Sequence, residues 1–306
     1  MKTKLMRILV VAFACLLPLT CMAEEQGKPS AEEATESLEV LETEEAVESL
    51  DVLETEQAAH TGVLDSIRAC GILRVGTAGD YQPMSYLDPE TGSYVGFDAE
   101  LTEDLAKSLG VEIEYVETSW PTLMEDTLEG KFDLALCGIT ITDARREQAL
   151  MSDGYLGNGK TVLCRVEDKD KYTSLEAINR PEVRVMENPG GLNEKFAREN
   201  LPDATLIIHD VNQEIPGLVA SGEADVMITE IMEAGYYVGQ DSRLAAPLIY
   251  EPFTQGELGI LMPKGSEDLL AYVNAFLQQE KTSGRIDELA EEYIYRYITE
   301  EMDEAA

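Results

Sequence analysis

Histidine is almost missing from this chain of 306 residues: His60 and His209 are the only two. Cysteine is scarce as well, and of the five, Cys15 and Cys21 fall within the first 23 residues. The other three, Cys70, Cys137 and Cys164, are an odd number at spacings that match no zinc pattern. That argues against both a zinc site and a fully paired disulfide framework. Cations are heavily outnumbered, with 23 Lys and Arg against 60 Asp and Glu and a net charge of −37. Such a field disfavours nucleic acid and anionic membrane surfaces. It also repels small anions, so an anion site here must be built locally from a few placed cations and backbone N–H groups.

Lys2, Lys4 and Arg7 precede the apolar run "ILVVAFACLLPL", and "CMA" before Glu24 is similar to a small-residue cleavage site. That is the build of a secretory signal over residues 1–23, short for a bilayer span. The expected compartment is periplasmic or otherwise extracytoplasmic. Membrane attachment would need lipid on Cys21, but "PLTC" has Pro and Thr where aliphatic and small residues are usual, so release is preferred. Residues 24–62 carry thirteen acids and one lysine and contain a twelve-residue repeat, "ESLEVLETEEAV" then "ESLDVLETEQAA". High charge with few aromatics cannot bury enough surface to offset ordering entropy, which predicts a solvated linker.

From Val63 the texture changes. "ILRVGTA" (72–78) reads as a buried strand, "DAELTEDLAKSLG" (98–110) as an amphipathic helix and "VEIEYVET" (111–118) as an alternating strand. "PTLMEDTLEG" as helix and "FDLALCGIT" as strand repeat the pattern. After Lys160 a second set follows, with strands at 183–187, 204–210 and 224–230 separated by helical segments, and two more helices at 267–281 and 284–298. Alternation of this kind predicts α/β architecture with parallel-rich sheets covered on both faces. About 240 residues exceed one comfortable core, so two lobes are the natural division.

The strings "GILRVGTAGDYQPMSY", "GFDAELTEDLAKSLG", "LEGKFDLALCGITITDARRE" and "GILMPKGSEDLLAYVNAFLQQEKTSGRIDELAEEY" together resemble the amino-acid-type periplasmic solute-binding protein family. The resemblance covers about residues 63–300. It implies the type II fold: two lobes joined by two crossover strands, with lobe 1 at 63–160 and 250–306 and lobe 2 at 161–249. A narrower match, "AGDYQPMSY", "ETSWPTLMED", "GNGKT", "NPGGLNEKFARENL" and the Glu of "IMEA", resembles the cyclohexadienyl dehydratases. These are lyases on the same fold that convert prephenate to phenylpyruvate or arogenate to phenylalanine. The alternative is an extracytoplasmic binder that passes an amino acid or related small carboxylate to an ABC permease, and fold alone does not choose.

Loss of CO₂ and hydroxide from a cyclohexadiene makes an aromatic ring, so the driving force lies in the substrate. The protein must supply a proton and a fixed orientation; no metal or organic cofactor is required. By the resemblance, Arg145 forks onto a ligand carboxylate, with Gly138 and Thr140 adding donors; a surface arginine capping Asp143 is the plainer reading. Lys160 would serve a second carboxylate or stand as an exposed hinge lysine. Asn188, Gly190 and Gly191 let backbone approach the ligand before a helix, while Leu192 replaces the hydroxyl residue typical there. Tyr81 and Trp120 are the aromatic walls set to sandwich a ring, and Asp80 is counted with them among the substrate-binding residues. In "VMITEIMEAG" (226–235) Glu230 and Glu233 look like the first turn of a helix after a buried strand, the place where ligands sit in open α/β sheets. Glu233 matches the dehydratases' catalytic acid, and Glu230 the acid that holds an ammonium group in binders.

Overall fold

The computed structural model describes residues 62–298. The leader, the acidic repeat and the last eight residues lie outside the described residues. Among the described residues the chain forms two five-stranded mixed sheets, the α/β, two-lobed arrangement of type II binding proteins.

In the first sheet the order is Glu112–Glu117, Ile72–Thr77, Leu134–Ala135, Leu261–Met262, Leu150–Met151. Ile72–Thr77 pairs in parallel with both neighbours, and Leu261–Met262 runs antiparallel to both of its own. In the second the order is Thr205–Ile208, Arg184–Glu187, Val226–Glu230, Lys160–Arg165, Leu244–Ala245. Arg184–Glu187 is parallel to its two neighbours, whereas Lys160–Arg165 is antiparallel to its own. The antiparallel pairs arise where the chain passes between the sheets. Leu156–Asn158 leads out and Gly256–Leu258 leads back, and the two pair antiparallel with each other. The sheets are therefore less uniformly parallel than alternation of strand and helix alone implies.

The anticipated strand over "FDLALCGIT" is reduced to Leu134–Ala135. The cause is local: Gly138 takes φ +72°, and the chain turns there into the cleft rather than continuing the ladder. The helix Phe97–Leu109 is close to its expected bounds and buries Phe97, Leu101, Leu105 and Leu109 on one face. Four-residue spacing stacks these side chains along one stripe. They meet Leu73, Val75 and Leu134 of the first sheet in a core that also takes Leu269, Val273 and Leu277 from the helix Glu267–Ser283. The second sheet is covered on one face by Ile215, Val219, Ala234 and Tyr237 and on the other by Tyr172, Ile178, Ala197 and Leu201. Cys70, Cys137 and Cys164 are unpaired thiols, and only Cys70 is exposed.

Leu101 has no exposed surface. Leu101→Ala is expected to cost about 2–5 kcal/mol through lost burial and the cavity left behind. Urea unfolding followed by far-UV circular dichroism measures it, and a change below about 1 kcal/mol would contradict tight packing at this position.

Candidate active site between the sheets

The strand Val226–Glu230 is buried at every position and ends where the helix Ile231–Gln240 begins. Glu230 is thus the last strand residue and the helix N-cap, not a member of the first turn; Glu233 alone sits inside the helix. Antiparallel register sets Glu230 directly opposite Lys160, and Thr229 opposite Thr161. Directly opposed residues project from the same face of a sheet. Register therefore delivers the Lys160 ammonium to the Glu230 carboxylate, Nζ to Oε1 at 2.8 Å, with both side chains buried. Nζ also donates to Asn193 Oδ1 at 2.6 Å. Thr140 Oγ1 donates to the same carboxylate at 3.1 Å, and the Tyr81 hydroxyl donates to its second oxygen. Burial pushes the Glu230 carboxyl up, but the charge and hydrogen bond of Lys160, aided by Tyr81 and Thr140, hold it below its ordinary value. Glu230 is ionised and saturated with donors.

Glu233 lies in the opposite electrostatic situation. It is fully buried, and its two oxygens are met by uncharged groups, Asn212 Nδ2 at 2.7 Å and the Thr229 hydroxyl. No cation pairs with it among the described residues. Burial pushes its carboxyl up to about 8, against the two hydrogen bonds and with help from the negative charges of Glu230 and Asp80. At neutral pH it carries its proton.

Tyr81, Trp120, Gly138, Thr140, Arg145, Asn188, Gly191, Glu230 and Glu233, all anticipated from the sequence, line one cleft between the sheets. Leu192, Asn193 and Asn212 complete it. Arg145 stands in the short helix Asp143–Gln148, whose N-cap is Thr142 rather than an acid. Its Nη1 donates to the Thr140 carbonyl at 2.6 Å, and it has no carboxylate partner among the described residues. Burial draws its pKa down, although guanidinium stays protonated at any working pH. Arg145 is therefore a half-buried cation with no ion-pair partner among the described residues. Tyr81 and Trp120 meet edge to face, centroids 5.9 Å apart at 83°. They form a corner, not the two parallel walls of a sandwich. Gly138 cannot carry a side chain: a Cβ there would fall 2.2 Å from the Tyr81 ring. Its N–H is spent on the buried Asp98 carboxylate, which also accepts from the Tyr155 hydroxyl at 2.8 Å.

Three anticipated residues stand outside the lining of this cleft. Asp80 is turned to Trp120, accepting from Nε1 at 3.0 Å, and burial raises its pKa despite that bond. Gly190, at φ +80°, donates its N–H to Glu194 Oε2 at 2.6 Å. A Cβ on it would meet Pro121 at 2.6 Å, so its missing side chain serves the close approach of the two lobes. Lys160 lines an adjoining cavity of about 720 Å³ with Lys195 and Phe196, its charge already matched by Glu230.

Residues 73–296 match the bacterial extracellular solute-binding proteins, family 3, and the chain belongs to that family. It is 39% identical over 237 residues to the cyclohexadienyl dehydratase of Pseudomonas aeruginosa, covering 77% of this chain and 88% of that protein. It is 25% identical over 241 residues to the L-cystine-binding protein TcyJ of Escherichia coli, covering 79% and 89%. Among solved structures it is similar to the ancestral amino acid-binding protein AncCDT-1, a precursor of cyclohexadienyl dehydratase, with TM-score 0.71, 38% identity and coverage of 76% and 100%. The L-arginine-bound AbpA of Streptococcus pneumoniae matches with TM-score 0.69, 27% identity and coverage of 74% and 96%. This chain is thus a homologue of a dehydratase within a family composed largely of amino-acid binders.

The raised carboxyl of Glu233 ties stability to pH. An unfolded glutamate titrates at about 4.3, while the folded one titrates at about 8. Between those values the folded chain keeps a proton that the unfolded chain has released. The stability linked to that proton is complete below the unfolded pKa and is lost as pH rises through the folded one. Glu233→Gln, which cannot ionise, is expected to melt within about two degrees of the parent at pH 5 and well above it at pH 9. Thermal unfolding at both pH values checks this, and a difference that does not grow with pH would place the titration elsewhere.

Proposed function

We propose that this protein is an extracytoplasmic cyclohexadienyl dehydratase that converts prephenate to phenylpyruvate and, by the same chemistry, arogenate to phenylalanine. The carrying observation is a fully buried glutamate that keeps its proton at neutral pH, in a cleft that also holds an arginine with no ion-pair partner among the described residues. The 39% identity to a cyclohexadienyl dehydratase supports the same reading.

The substrate has a ring carboxylate, a ring hydroxyl and a side chain that ends in a carboxylate. Arg145 takes a carboxylate in its planar fork, with the Asn188 amide as a neighbouring donor. Tyr81 and Trp120 hold the ring in their corner. Glu233 gives its proton to the ring hydroxyl as the carbon–oxygen bond breaks, and water leaves. The electrons of the bond to the ring carboxylate fall into the ring, releasing CO₂ and completing aromaticity. Glu233 then recovers a proton from solvent. A positioned acid with a pKa near the working pH typically contributes on the order of 10²–10⁴ in rate.

A second reading, an amino-acid binder, draws on the cystine- and arginine-binding relatives. It needs an acid free to hold an ammonium group, and Glu230 already carries Lys160. Export through the leader at 1–23 fits either reading.

Mixing the full chain with prephenate at neutral pH and following phenylpyruvate by its absorbance in alkali tests the proposal. Turnover is expected in the parent and a loss of about 10²–10⁴ in Glu233→Gln, with substrate binding largely retained. Absence of turnover, together with large thermal shifts from amino acids, would establish the binder instead. In the parent, kcat/KM is expected to hold level up to about pH 8 and then fall about tenfold per unit as Glu233 loses its proton. Arg145→Ala is expected to weaken binding of every carboxylate ligand, and unchanged affinity in calorimetry would move the anion site elsewhere.

A further inference from the structure

Nothing in the sequence marks Asn212 as a site residue, yet it sits where the cleft, the acid and the opposite lobe meet. It opens the short turn Asn212–Glu214 ahead of the helix Ile215–Ser221 and is 3% exposed. Its Nδ2 donates to the Asp80 carbonyl at 3.2 Å and to Glu233 Oε1 at 2.7 Å. The Asp80 carbonyl only accepts, so the atom facing it must be the amide nitrogen, and the orientation of the side chain is fixed. Both amide hydrogens are then used, one on each lobe. The remaining polar atom, Oδ1, is buried and has no hydrogen-bond partner among the described residues. Asn212 itself lines the cleft.

A buried amide oxygen without a partner costs stability unless something else satisfies it. The two lobes meet through the Asp80 carbonyl, so this cost is incurred where the cleft closes. Because Asn212 lines the cleft, a donor that arrives there with the ligand can satisfy Oδ1 beside the group that reaches Glu233. Resting on the dehydratase reading above, we propose that Asn212 is a positioning residue whose Oδ1 accepts the hydrogen of the substrate's ring hydroxyl while its Nδ2 fixes Glu233. A hydroxyl that donates to Oδ1 turns a lone pair toward the acid. When Glu233 supplies the second hydrogen, the oxygen leaves as water, already hydrogen-bonded. The ligand class selected is a ring that carries a hydroxyl donor at the leaving position, over the same ring without it.

The test compares the full chain with Asn212→Ala and Asn212→Ser, using prephenate and phenylpyruvate, the product that lacks the ring hydroxyl. In Asn212→Ala, kcat is expected to fall about tenfold to a hundredfold, while the affinity for phenylpyruvate stays within about twofold. Loss of the Asn212 hydrogen bond also leaves Glu233 harder to ionise, so the alkaline limb of kcat/KM moves to higher pH. Asn212→Ser, with a hydroxyl that both donates and accepts, is expected to recover part of the rate. It carries the same readouts should the alanine variant fail to fold, which circular dichroism reports. An unmoved alkaline limb, or a parallel loss of phenylpyruvate affinity, overturns the assignment and leaves the dehydratase reading standing. A parent that does not turn over prephenate overturns both.

Discussion

The ion pair between Lys160 and Glu230 is the constraint on which the rest of the cleft depends. It is a product of register: a slip of one residue between Lys160–Arg165 and Val226–Glu230 would send one partner to the opposite face. Buried ion pairs are weak sources of stability because desolvation offsets much of the attraction. Here the pair decides protonation instead. With its charge compensated by Lys160 and its oxygens taken by Tyr81 and Thr140, Glu230 stays ionised in a dry site. Burial, with smaller help from the charges of Glu230 and Asp80, holds the carboxyl one helical turn further on in the neutral form. Two chemically identical side chains are driven apart in pKa by their surroundings, the arrangement that separates acid from base roles in one site.

The net charge of −37 would exclude anions from most of this surface. The cleft reverses that locally through division of labour between the lobes. The first contributes Arg145, which has no ion-pair partner among the described residues, and the aromatic corner of Tyr81 and Trp120. The second contributes the two glutamates and Asn212. Contacts between them, Tyr81 and Thr140 to Glu230 and Asn212 to the Asp80 carbonyl, assemble the site only when the lobes meet. The partners of Glu233 itself, Thr229 and Asn212, come from its own lobe, so the cross-lobe contacts bear on Glu230 and on the second hydrogen of Asn212.

Much of the fold was legible because its signals are local. The helix Phe97–Leu109 follows from the four-residue spacing of Phe97, Leu101, Leu105 and Leu109, and the strand Val226–Glu230 from its unbroken run of strand formers. What the pattern could not carry was the truncation of "FDLALCGIT", which depends on the backbone turn at Gly138. The site divides on the same principle. Arg145 and Glu233 were legible through short strings. The pairing of Lys160 with Glu230, residues 70 apart, was not, because it is a property of the ladder rather than of either segment. Asn212 opens the segment 212–222 read as helical, where nothing marks it as a site residue, and only the fold brings it to Glu233 and to the Asp80 carbonyl. Gly190 reads from sequence as a ligand approach, yet Pro121 occupies that approach.

Both binders and a dehydratase stand among the relatives of this chain, so the difference between the two readings must lie in what the cleft does to protons. A binder gains by neutralising every charge on its ligand with a fixed partner; nothing in its cleft should be ready to leave. In this cleft the acid suited to an ammonium group is already matched by a lysine of the same sheet. A second carboxyl is placed beside it with only neutral donors, where ionisation is penalised and the proton is retained. Such a group adds little to affinity for a cation and is well suited to a hydroxyl about to depart. On this argument the step from holding a ligand to transforming it needs no new fold and no new metal. It needs one glutamate kept neutral by burial among uncharged donors, with the charge of Glu230 beside it as a smaller aid.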